Sequence, residues 1–401
     1  MKRLISCVLA LLYVMAGFAS GTWILHGKEY RVDTLYHAYI GPGTTQTSIK
    51  LAGPVNLRVF YTTTDLKNEN VDVRAIKHKD TLTGLGTVSN AAESHSTSNR
   101  SYFAGINADF FSSSMPCGIT VVDGEVYCSD QASGWSLFGI DANKIPYSGG
   151  GDFYVKLTAP DYSTAELSAM NLERGTNGLV LYSSRKGANT GTDSNGSEVV
   201  LIPDGEGNFL TPGATVRMRV QGNPSHAGSM PIPDDGYILS GSGTKESFVS
   251  NLSEGDVVEV RCAIRFNGFT GGKIQQALGG CPMLVSGGKV LDTENALDHL
   301  TSAQPRTAVG YNAEKNKLVM LVADGRSSIS VGPISKVLAD IMIYAGCSEA
   351  MNFDGGGSST FYVKGEGVIN QPSDGSERSV TDGLYLSTDA PQNDVTITTI
   401  R

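Results

Sequence analysis

Short segments rich in β-branched residues run through most of this chain, separated by glycine, asparagine and aspartate turns. Such segments favour strands over helices, because branched and aromatic side chains pack well on a pleated sheet. The 48 glycines among 401 residues supply the turns that short strands require. We therefore predict an α+β fold with a β-rich mixed sheet core. The segments are NLRVFYTTT, GITVV, EVYC, GLVLYSS, EVVLI, ATVRMRV, DVVEVRCAI and KLVMLVA.

A β-α-β unit is predicted near the C-terminus. The run KLVMLVADGR at residues 317–326 is almost continuously apolar, as in a strand buried on both faces. An apolar stripe at helical spacing follows between Pro333 and Gly346, and AMNFD then indicates a second strand. Strands joined by such a crossover are normally parallel neighbours, so Asp324 and Asp354 are expected at the same edge of the sheet.

A glycine-rich loop, in MNFDGGGSSTFYV at residues 351–363, follows the second of these strands. A third strand, in YFAGINADFF, ends at Asn107 and Asp109, which suggests one shared site at these strand ends. The loop matches neither the P-loop nor the dinucleotide-binding pattern, and the sequence contains no GxSxG nucleophile motif. A tight turn explains one or two glycines, whereas three in a row favour backbone that approaches a ligand closely and presents its amides.

The first twenty residues have the pattern of a signal peptide, with Lys2 and Arg3 ahead of an apolar run and small residues at its end. An anchor helix that is not cleaved is the alternative. We therefore expect an extracytoplasmic protein, periplasmic or secreted, with no membrane span after this segment is removed. Residues 21–95 are either a β-rich accessory region or the first strands of the main domain, which we place at residues 96–390.

Charge and cysteine content narrow the classes of partner and cofactor. The net charge of -9 disfavours nucleic acid and anionic membranes, because both select basic surfaces. Cys117 and Cys128 flank a hairpin pattern whose spacing is compatible with a disulfide or with two free thiols. No cysteine pair has zinc-site spacing, and we expect no metal or other cofactor. A structural calcium would fit crowded carboxylates, but no EF-hand pattern indicates one.

Several blocks together resemble the phosphodiester glycosidase family. The glycine loop is preceded by QPRTAVGY at residues 304–311 and followed by NQPSDGSER at residues 370–378. With further blocks in the same order they cover roughly residues 100–388, a joint spacing that chance does not explain. The first block departs from the family's Asn-Gly-Gly-Phe-Phe, because Ala108 and Asp109 occupy its middle positions. The further blocks are NADFF, NLERGTNGLVLYSS, ALGGCPMLVSGGK and ADGR.

The resemblance implies a hydrolase of sugar 1-phosphodiesters, such as those of N-acetylglucosamine, that breaks the glycosidic bond and leaves a phosphomonoester. A phosphate leaving group is already acidic, so charge neutralisation by arginine matters more than a strong general acid. The oxocarbenium-like transition state also needs a carboxylate, as nucleophile or as base for water. Asp354 is the first catalytic candidate, Asp324 the second and Glu377 a reserve, with Asp109 and Asp374 as further reserves. The expected substrate-binding residues are Asn107, Arg174, Arg306, Asn352, Gly355, Gly356, Gly357, Ser358, Ser359, Thr360 and Arg378.

The alternative is a non-catalytic glycan-binding or exopolysaccharide-handling protein with the same fold, because function depends on the residues of the site and one fold can serve several functions. The presence of Arg306, Asp324, Asn352, Asp354 and Arg378 favours the enzyme. A phosphodiesterase that cuts the phosphorus–oxygen bond would require paired metals and histidine clusters, for which the sequence has no pattern. The expected partner is a carbohydrate or sugar-phosphate substrate, and the sequence leaves the oligomeric state open.

Overall fold

A computed structural model describes residues 21–131, 134–205, 209–267, 269–270, 272–292 and 301–390. The predicted signal peptide at residues 1–20 lies outside the described residues. The helices are α1 (Val88–His95), α2 (Glu246–Ser250) and α3 (Ser335–Tyr344). The strands are β1 (Gly21–Leu25), β2 (Lys28–Gly41), β3 (Thr44–Ala52), β4 (Asn56–Asp65), β5 (Asp72–Lys77), β6 (Ser101–Asn107), β7 (Phe111–Ser112), β8 (Met115–Pro116), β9 (Thr120–Val122), β10 (Glu125–Cys128), β11 (Ser136–Asp141), β12 (Pro146–Thr158), β13 (Thr164–Glu166), β14 (Ala169–Met170), β15 (Leu179–Tyr182), β16 (Ser197–Pro203), β17 (Thr215–Ser225), β18 (Tyr237–Gly241), β19 (Val257–Phe266), β20 (Phe269–Thr270), β21 (Ile274–Gly280), β22 (Met283–Ser286), β23 (Lys289–Val290), β24 (Arg306–Tyr311), β25 (Lys317–Ala323), β26 (Glu349–Asn352), β27 (Phe361–Val363), β28 (Gly367–Val368) and β29 (Asp382–Thr388).

Three large sheets contain most of these strands. The nine-stranded sheet has the order β1-β2-β3-β4-β25-β24-β26-β22-β23, and the five-stranded sheet has the order β28-β27-β6-β29-β5. The thirteen-stranded sheet follows the order β10-β9-β21-β11-β12-β19-β17-β16-β18-β15-β14, with β13 and β20 paired to its members. Pairing is antiparallel except between β14 and β15. The prediction of a β-rich, mixed sheet core is confirmed.

Strands from the first part of the chain lie in the same sheets as strands from the last part. β4 pairs with β25 from Asp65 opposite Lys317 to Val59 opposite Ala323. β5 likewise pairs with β29. The sheets therefore combine both ends of the chain, and the predicted domain boundary near residue 95 stays a prediction.

The predicted β-α-β unit is present with one difference. β25 and β26 run parallel, but β24 lies between them and is antiparallel to both. The expectation that they are neighbours is wrong, because the preceding strand already occupies the intervening position. As a result Arg306, which begins β24, lies at the same edge as Asp324 and Asp354, which follow β25 and β26. The helix α3 covers this sheet with Leu338 and Ile341 in the shared core.

The five-stranded sheet packs on the nine-stranded sheet through one apolar core. This core contains Ile106 and Leu384 from the first sheet and Val322 and Met351 from the second. Their burial brings Asn107, at the end of β6, beneath the edge where Asp354 lies. Within the described ranges, no helix has the length and apolarity needed to cross a membrane.

The predicted hairpin between Cys117 and Cys128 is formed by β9 and β10, with Asp123 and Gly124 at positive φ in its turn. Both cysteines are free thiols in the structure, which is one of the two alternatives that the sequence allows.

Candidate active site

The candidate site lies at the sheet edge where β24 begins and where β25 and β26 end. Asp354 follows β26, and the chain then forms a 3₁₀ turn at Gly356–Ser358. The amide of Gly355 donates to Oδ1 of Asp354 (2.8 Å), and the amide of Gly356 donates to the carbonyl of Pro305 (2.9 Å). These two amides are therefore bonded within the protein, whereas the sequence suggested that they face a ligand.

Each glycine of the loop meets a neighbour that leaves little room for a side chain. A Cβ on Gly355 would lie 2.7 Å from a backbone carbonyl oxygen just before β24. Gly356 has a φ of +61°, and a Cβ there would lie 3.0 Å from a guanidinium nitrogen of Arg326. A Cβ on Gly357 would overlap the guanidinium of Arg378. The glycines thus allow two arginines to lie directly against the loop backbone.

A third arginine approaches the same loop from β24. Arg306 is buried and donates from Nη2 to the carbonyl of Ser302 at 2.8 Å. Arg326 is exposed and donates from Nε to Oε1 of Gln304 at 2.6 Å. Burial and the neighbouring Arg326 lower the pKa of Arg306 to about 10. Two guanidinium groups close enough to repel each other are typical of a site that binds an anion.

Arg378 connects to Asp354 through Ser358. Its Nε and Nη2 donate to Oδ2 of Asp374 at 3.0 and 2.5 Å, and its Nη1 donates to the Ser358 hydroxyl at 3.4 Å. The Ser358 hydroxyl in turn donates to the Asp354 carboxylate. The Arg378 side chain is 41% exposed, so its guanidinium remains accessible to a ligand while Asp374 fixes its orientation.

The Asp354 carboxyl has a raised pKa. Burial raises its pKa to about 6, and the negative charge of Asp382 acts in the same direction. Hydrogen bonds from Ser358 and Gly355, together with the charge of Arg378, act in the opposite direction and limit the rise. A carboxyl with this pKa is mostly ionised at neutral pH and can still exchange a proton, which suits a nucleophile or a base for water.

Asn107 joins three elements of the site. Its Nδ2 donates to the carbonyl of Asp354 at 2.7 Å. Its Oδ1 accepts from the hydroxyl of Thr307 on β24 at 2.8 Å and from the amide of Thr360 at 3.1 Å. The Thr307 hydroxyl also contacts Ser359 Oγ at 3.3 Å. Asn107 therefore fixes the backbone on both sides of the glycine loop, and Ser359 and Thr360 are buried as part of this support.

Asp324 lies at the predicted edge but is buried there, with 1% of its surface exposed. Its Oδ1 accepts from the amide of Gln371 at 2.8 Å and from Nδ2 of Asn370 at 3.4 Å. Burial raises the pKa of Asp324. Asn352 is also buried, and its Nδ2 donates to the carbonyls of Cys281 and Phe353, both at 2.7 Å. Both side chains thus anchor the segments that flank the loop.

Two predicted site residues lie elsewhere. The Arg174 side chain pairs with Asp193 at 2.7 Å, beside a cavity of about 420 Å³ at the thirteen-stranded sheet. Glu377 accepts from the amide and the hydroxyl of Ser89 at 2.9 and 2.5 Å, in the first turn of α1. Glu377 therefore satisfies an amide at a helix N-terminus, where an anionic side chain stabilises the helix.

The sequence reasoning missed Arg326 and Asp382. Arg326 belongs to the ADGR block that supported the resemblance, so the motif contained a signal that was not used. Asp382 begins β29 and belongs to no motif. Its position near Asp354 follows only from the pairing of β29 with β6. Among the described residues, no group of three or more His, Cys, Asp or Glu side chains is placed to hold a metal ion.

Comparisons with known proteins concern the family and the fold of the chain. Residues 212–387 match the sequence model of the family named phosphodiester glycosidase. The SPbeta prophage-derived uncharacterized protein YomE of Bacillus subtilis (strain 168) is 40% identical over 88 residues, which are 22% of this chain and 13% of that protein. The match thus spans about an eighth of the relative's length.

Two solved structures show a similar fold at low sequence identity, and a third gives a lower score. An exported protein, as it is named, from Burkholderia pseudomallei K96243 has a TM-score of 0.66 at 18% identity, covering 93% of this chain and 100% of that one. A hypothetical protein from Synechocystis has a TM-score of 0.65 at 16% identity, covering 86% of this chain and 62% of that one. The catalytic domain of zebrafish N-acetylglucosamine-1-phosphodiester alpha-N-acetylglucosaminidase has a TM-score of 0.46 at 12% identity, covering 88% and 87%.

The resemblance seen in the sequence blocks is confirmed by this match over residues 212–387, where the chain is similar to the phosphodiester glycosidase family.

Proposed function

We propose that this chain hydrolyses sugar 1-phosphodiesters at the glycosidic bond and releases a phosphomonoester. The observation that supports this is the set of Arg306, Arg326 and Arg378 around a loop that begins at Asp354. Guanidinium groups match phosphate oxygens with a planar fork of donors. A carboxylate stabilises positive charge at the anomeric carbon. The family match over residues 212–387 supports the same activity.

In the proposed reaction the bond between the anomeric carbon and the phosphate oxygen breaks. Its electron pair leaves with the phosphomonoester, whose charge the arginines neutralise. Asp354, ionised at neutral pH, faces the positive anomeric carbon as a nucleophile or accepts a proton from the attacking water. Water supplies the hydroxyl group of the released sugar, and its other proton passes to Asp354 or to solvent.

The proposed substrates are 1-phosphodiesters of N-acetylglucosamine and related sugars, carried on a glycan, a polymer or a protein. We propose that the reaction takes place outside the cytoplasm. The support for this location is the signal-peptide pattern at residues 1–20 and the fold shared with a protein that is named as exported.

The test is hydrolysis of synthetic N-acetylglucosamine 1-phosphodiesters in water enriched in oxygen-18, using the chain from residue 21 onwards. Mass spectrometry then locates the isotope. We expect the isotope in the released sugar. Asp354→Asn should abolish turnover. The control variant Arg31→Met removes a surface ion pair that is far from Asp354 in the sequence, and it should leave turnover unchanged. Isotope in the phosphate would mean that the phosphorus–oxygen bond is cut. Binding of the diesters without turnover would favour the glycan-binding alternative.

A further inference from the structure

Three charged residues that the proposed reaction does not use lie buried next to the site. Lys77 ends β5, Asp109 follows β6 and Asp382 begins β29, and the exposed fractions of these residues are 0%, 1% and 0%. Burying an isolated charge is costly, so such groups must balance one another. The phosphodiester glycosidase pattern has glycine where this chain has Asp109, so the resemblance assigns Asp109 no role.

Asp382 is the residue that connects the other two. Its Oδ1 accepts from the amide of Asp109 at 2.9 Å, and its Oδ2 accepts from the hydroxyl of Thr381 at 2.9 Å. Lys77 lies directly opposite Asp382 in the β5–β29 ladder. The Lys77 Nζ donates to the carbonyls of Gly84 (3.2 Å) and Thr381 (3.1 Å). Asp382 thus has donors on both oxygens and a cation on the neighbouring strand, as expected of an ionised carboxylate.

Asp109 has different surroundings. Its Oδ2 accepts from the amide of Gly118 at 2.8 Å. A Cβ on Gly118 or on Gly279 would lie 2.9 or 2.6 Å from this oxygen, so both glycines leave the space that the carboxyl occupies. The amide of Phe110 lies nearby, but among the described residues Oδ1 has no hydrogen bond of acceptable geometry. With Oδ2 acting as an acceptor, Oδ1 is the oxygen available to carry a proton.

We propose that Lys77, Asp109 and Asp382 form a buried triad of zero net charge, in which Asp109 holds a proton, and that this triad positions Asp354. One cation, one carboxylate and one neutral acid sum to zero, whereas two carboxylates would leave an uncompensated negative charge in the core. We call this group the buried triad. The part of the proposal that concerns Asp354 rests on the proposed function.

The connection to Asp354 runs through the backbone of residues 107–109. The amide of Asp354 donates to the carbonyl of Ala108 at 2.8 Å, and the amide of Ala108 donates to the carbonyl of Asp382 at 3.4 Å. Asn107 holds the carbonyl of Asp354, as described above. Asp109 and Asp382 therefore fix the short segment that holds the main chain of Asp354. Asp109 and Asp382 are positioning residues.

The electrostatics agree with this assignment. Burial and the charge of Asp382 raise the pKa of Asp109 well above its usual range. Burial also raises the pKa of Asp382, but Lys77 opposes that rise. Among the residues that the structure describes, the other titratable groups that interact electrostatically with the triad are His78, Asp80, Cys117, Cys128, Asp354 and Tyr385.

The first test measures proton linkage and needs no substrate. If Asp109 is protonated in the fold and ionised in the unfolded chain, folding takes up one proton. The folding constant of the wild type, relative to Asp109→Asn, should then fall tenfold per pH unit from pH 5 upwards, until the pKa of Asp109 in the fold is reached. Ser387→Ala, which removes a buried hydroxyl from β29, is the control that does not titrate. A ratio that does not change with pH would overturn the protonated state of Asp109.

The second test locates the proton by infrared spectroscopy above neutral pH, where Asp354 is ionised, through the carbonyl band of a buried, protonated carboxylic acid. We expect this band in the wild type and its loss in Asp109→Asn. In Asp382→Asn the band should also disappear, because Asp109 must then ionise to balance Lys77. The double variant Lys77→Met with Asp382→Asn should restore the band, since no buried cation remains. A band that persists in Asp382→Asn, or that stays absent in the double variant, would overturn the charge balance.

The positioning role is tested by rescue with a conservative variant. Asparagine at position 109 can still accept from the amide of Gly118, whereas alanine cannot. We expect Asp109→Ala to lower kcat about tenfold with KM little changed, and Asp109→Asn to restore most of kcat. Equal losses in both variants would overturn the positioning role. If the wild type hydrolyses no phosphodiester, the proposed function fails, but the linkage and infrared results still decide whether the triad exists. Asp109→Ala also serves the linkage test if Asp109→Asn does not fold.

Discussion

Asp354→Asn should remove activity and at the same time stabilise the fold at neutral pH. Burial raises the pKa of Asp354 from 3.8 to about 6, so the native state keeps its proton over a pH range in which the unfolded chain has lost it. The sign of the pH dependence of stability follows from this raised pKa. The contribution of Asp354 to wild-type stability falls as the pH rises from about 4 to about 6, and this contribution changes little at higher pH. At about 1.4 kcal/mol per pKa unit, the shift corresponds to about 3 kcal/mol. Asparagine has no charge to bury, so it avoids this cost.

The assay is urea unfolding of wild type and Asp354→Asn at pH 4, 5, 6 and 7, followed by tryptophan fluorescence. The stability of the variant relative to the wild type should rise by about 2 kcal/mol between pH 4 and pH 6, and it should level off by pH 7. Asp161→Asn is a control of opposite sign, because hydrogen bonds from Ser163 lower the pKa of Asp161, so this variant should lose stability relative to the wild type as the pH rises. A relative stability of Asp354→Asn that is flat or falls with pH would refute the argument from burial.

Two further predictions concern residues around the site. Arg378→Lys should raise KM for the phosphodiester about tenfold or more with a smaller change in kcat, because lysine cannot reproduce the planar fork of donors. Arg31→Lys on the surface is the control. Equal KM values for the wild type and Arg378→Lys in steady-state assays would exclude Arg378 from phosphate binding. Glu377→Gln should lower stability by about 0.5–2 kcal/mol, because the neutral amide has one acceptor oxygen in place of two for Ser89 and no charge at the helix N-terminus, while kcat stays within about twofold. A loss of kcat of a hundredfold or more in Glu377→Gln would return this residue to the catalytic set.

The position of the candidate site could be predicted from the sequence because it follows from topology. Strands joined by a helical crossover normally run parallel, and this placed Asp324 and Asp354 at one edge. The residues between the motifs could not be placed in the same way. β24 lies between β25 and β26, and no local pattern shows that a strand which precedes both in the chain is inserted between them.

The roles of individual residues within a motif were harder to predict than the family that the motif indicates. Arg174 lies in a block that supported the resemblance, yet the structure places it at another sheet, in a pair with Asp193. Arg326 lies in an equally short block and contacts the glycine loop. The two arginines lie at different sheets, and sequence spacing contains no information about distances between sheets.

The triple glycine shows how a sequence argument can rest on an incomplete reason. The sequence argument was that three glycines in a row let the backbone approach a ligand closely and present its amides. In the structure, a backbone carbonyl, a positive φ and two guanidinium groups already require the absence of side chains at Gly355, Gly356 and Gly357. The loop is therefore ordered by the protein, before any ligand binds. Arg326 and Arg378 lie against this loop, and their hydrogen bonds to Gln304 and Asp374 fix the orientation of the two guanidinium groups. A phosphate would therefore bind a site whose loop and arginines are already ordered by folding.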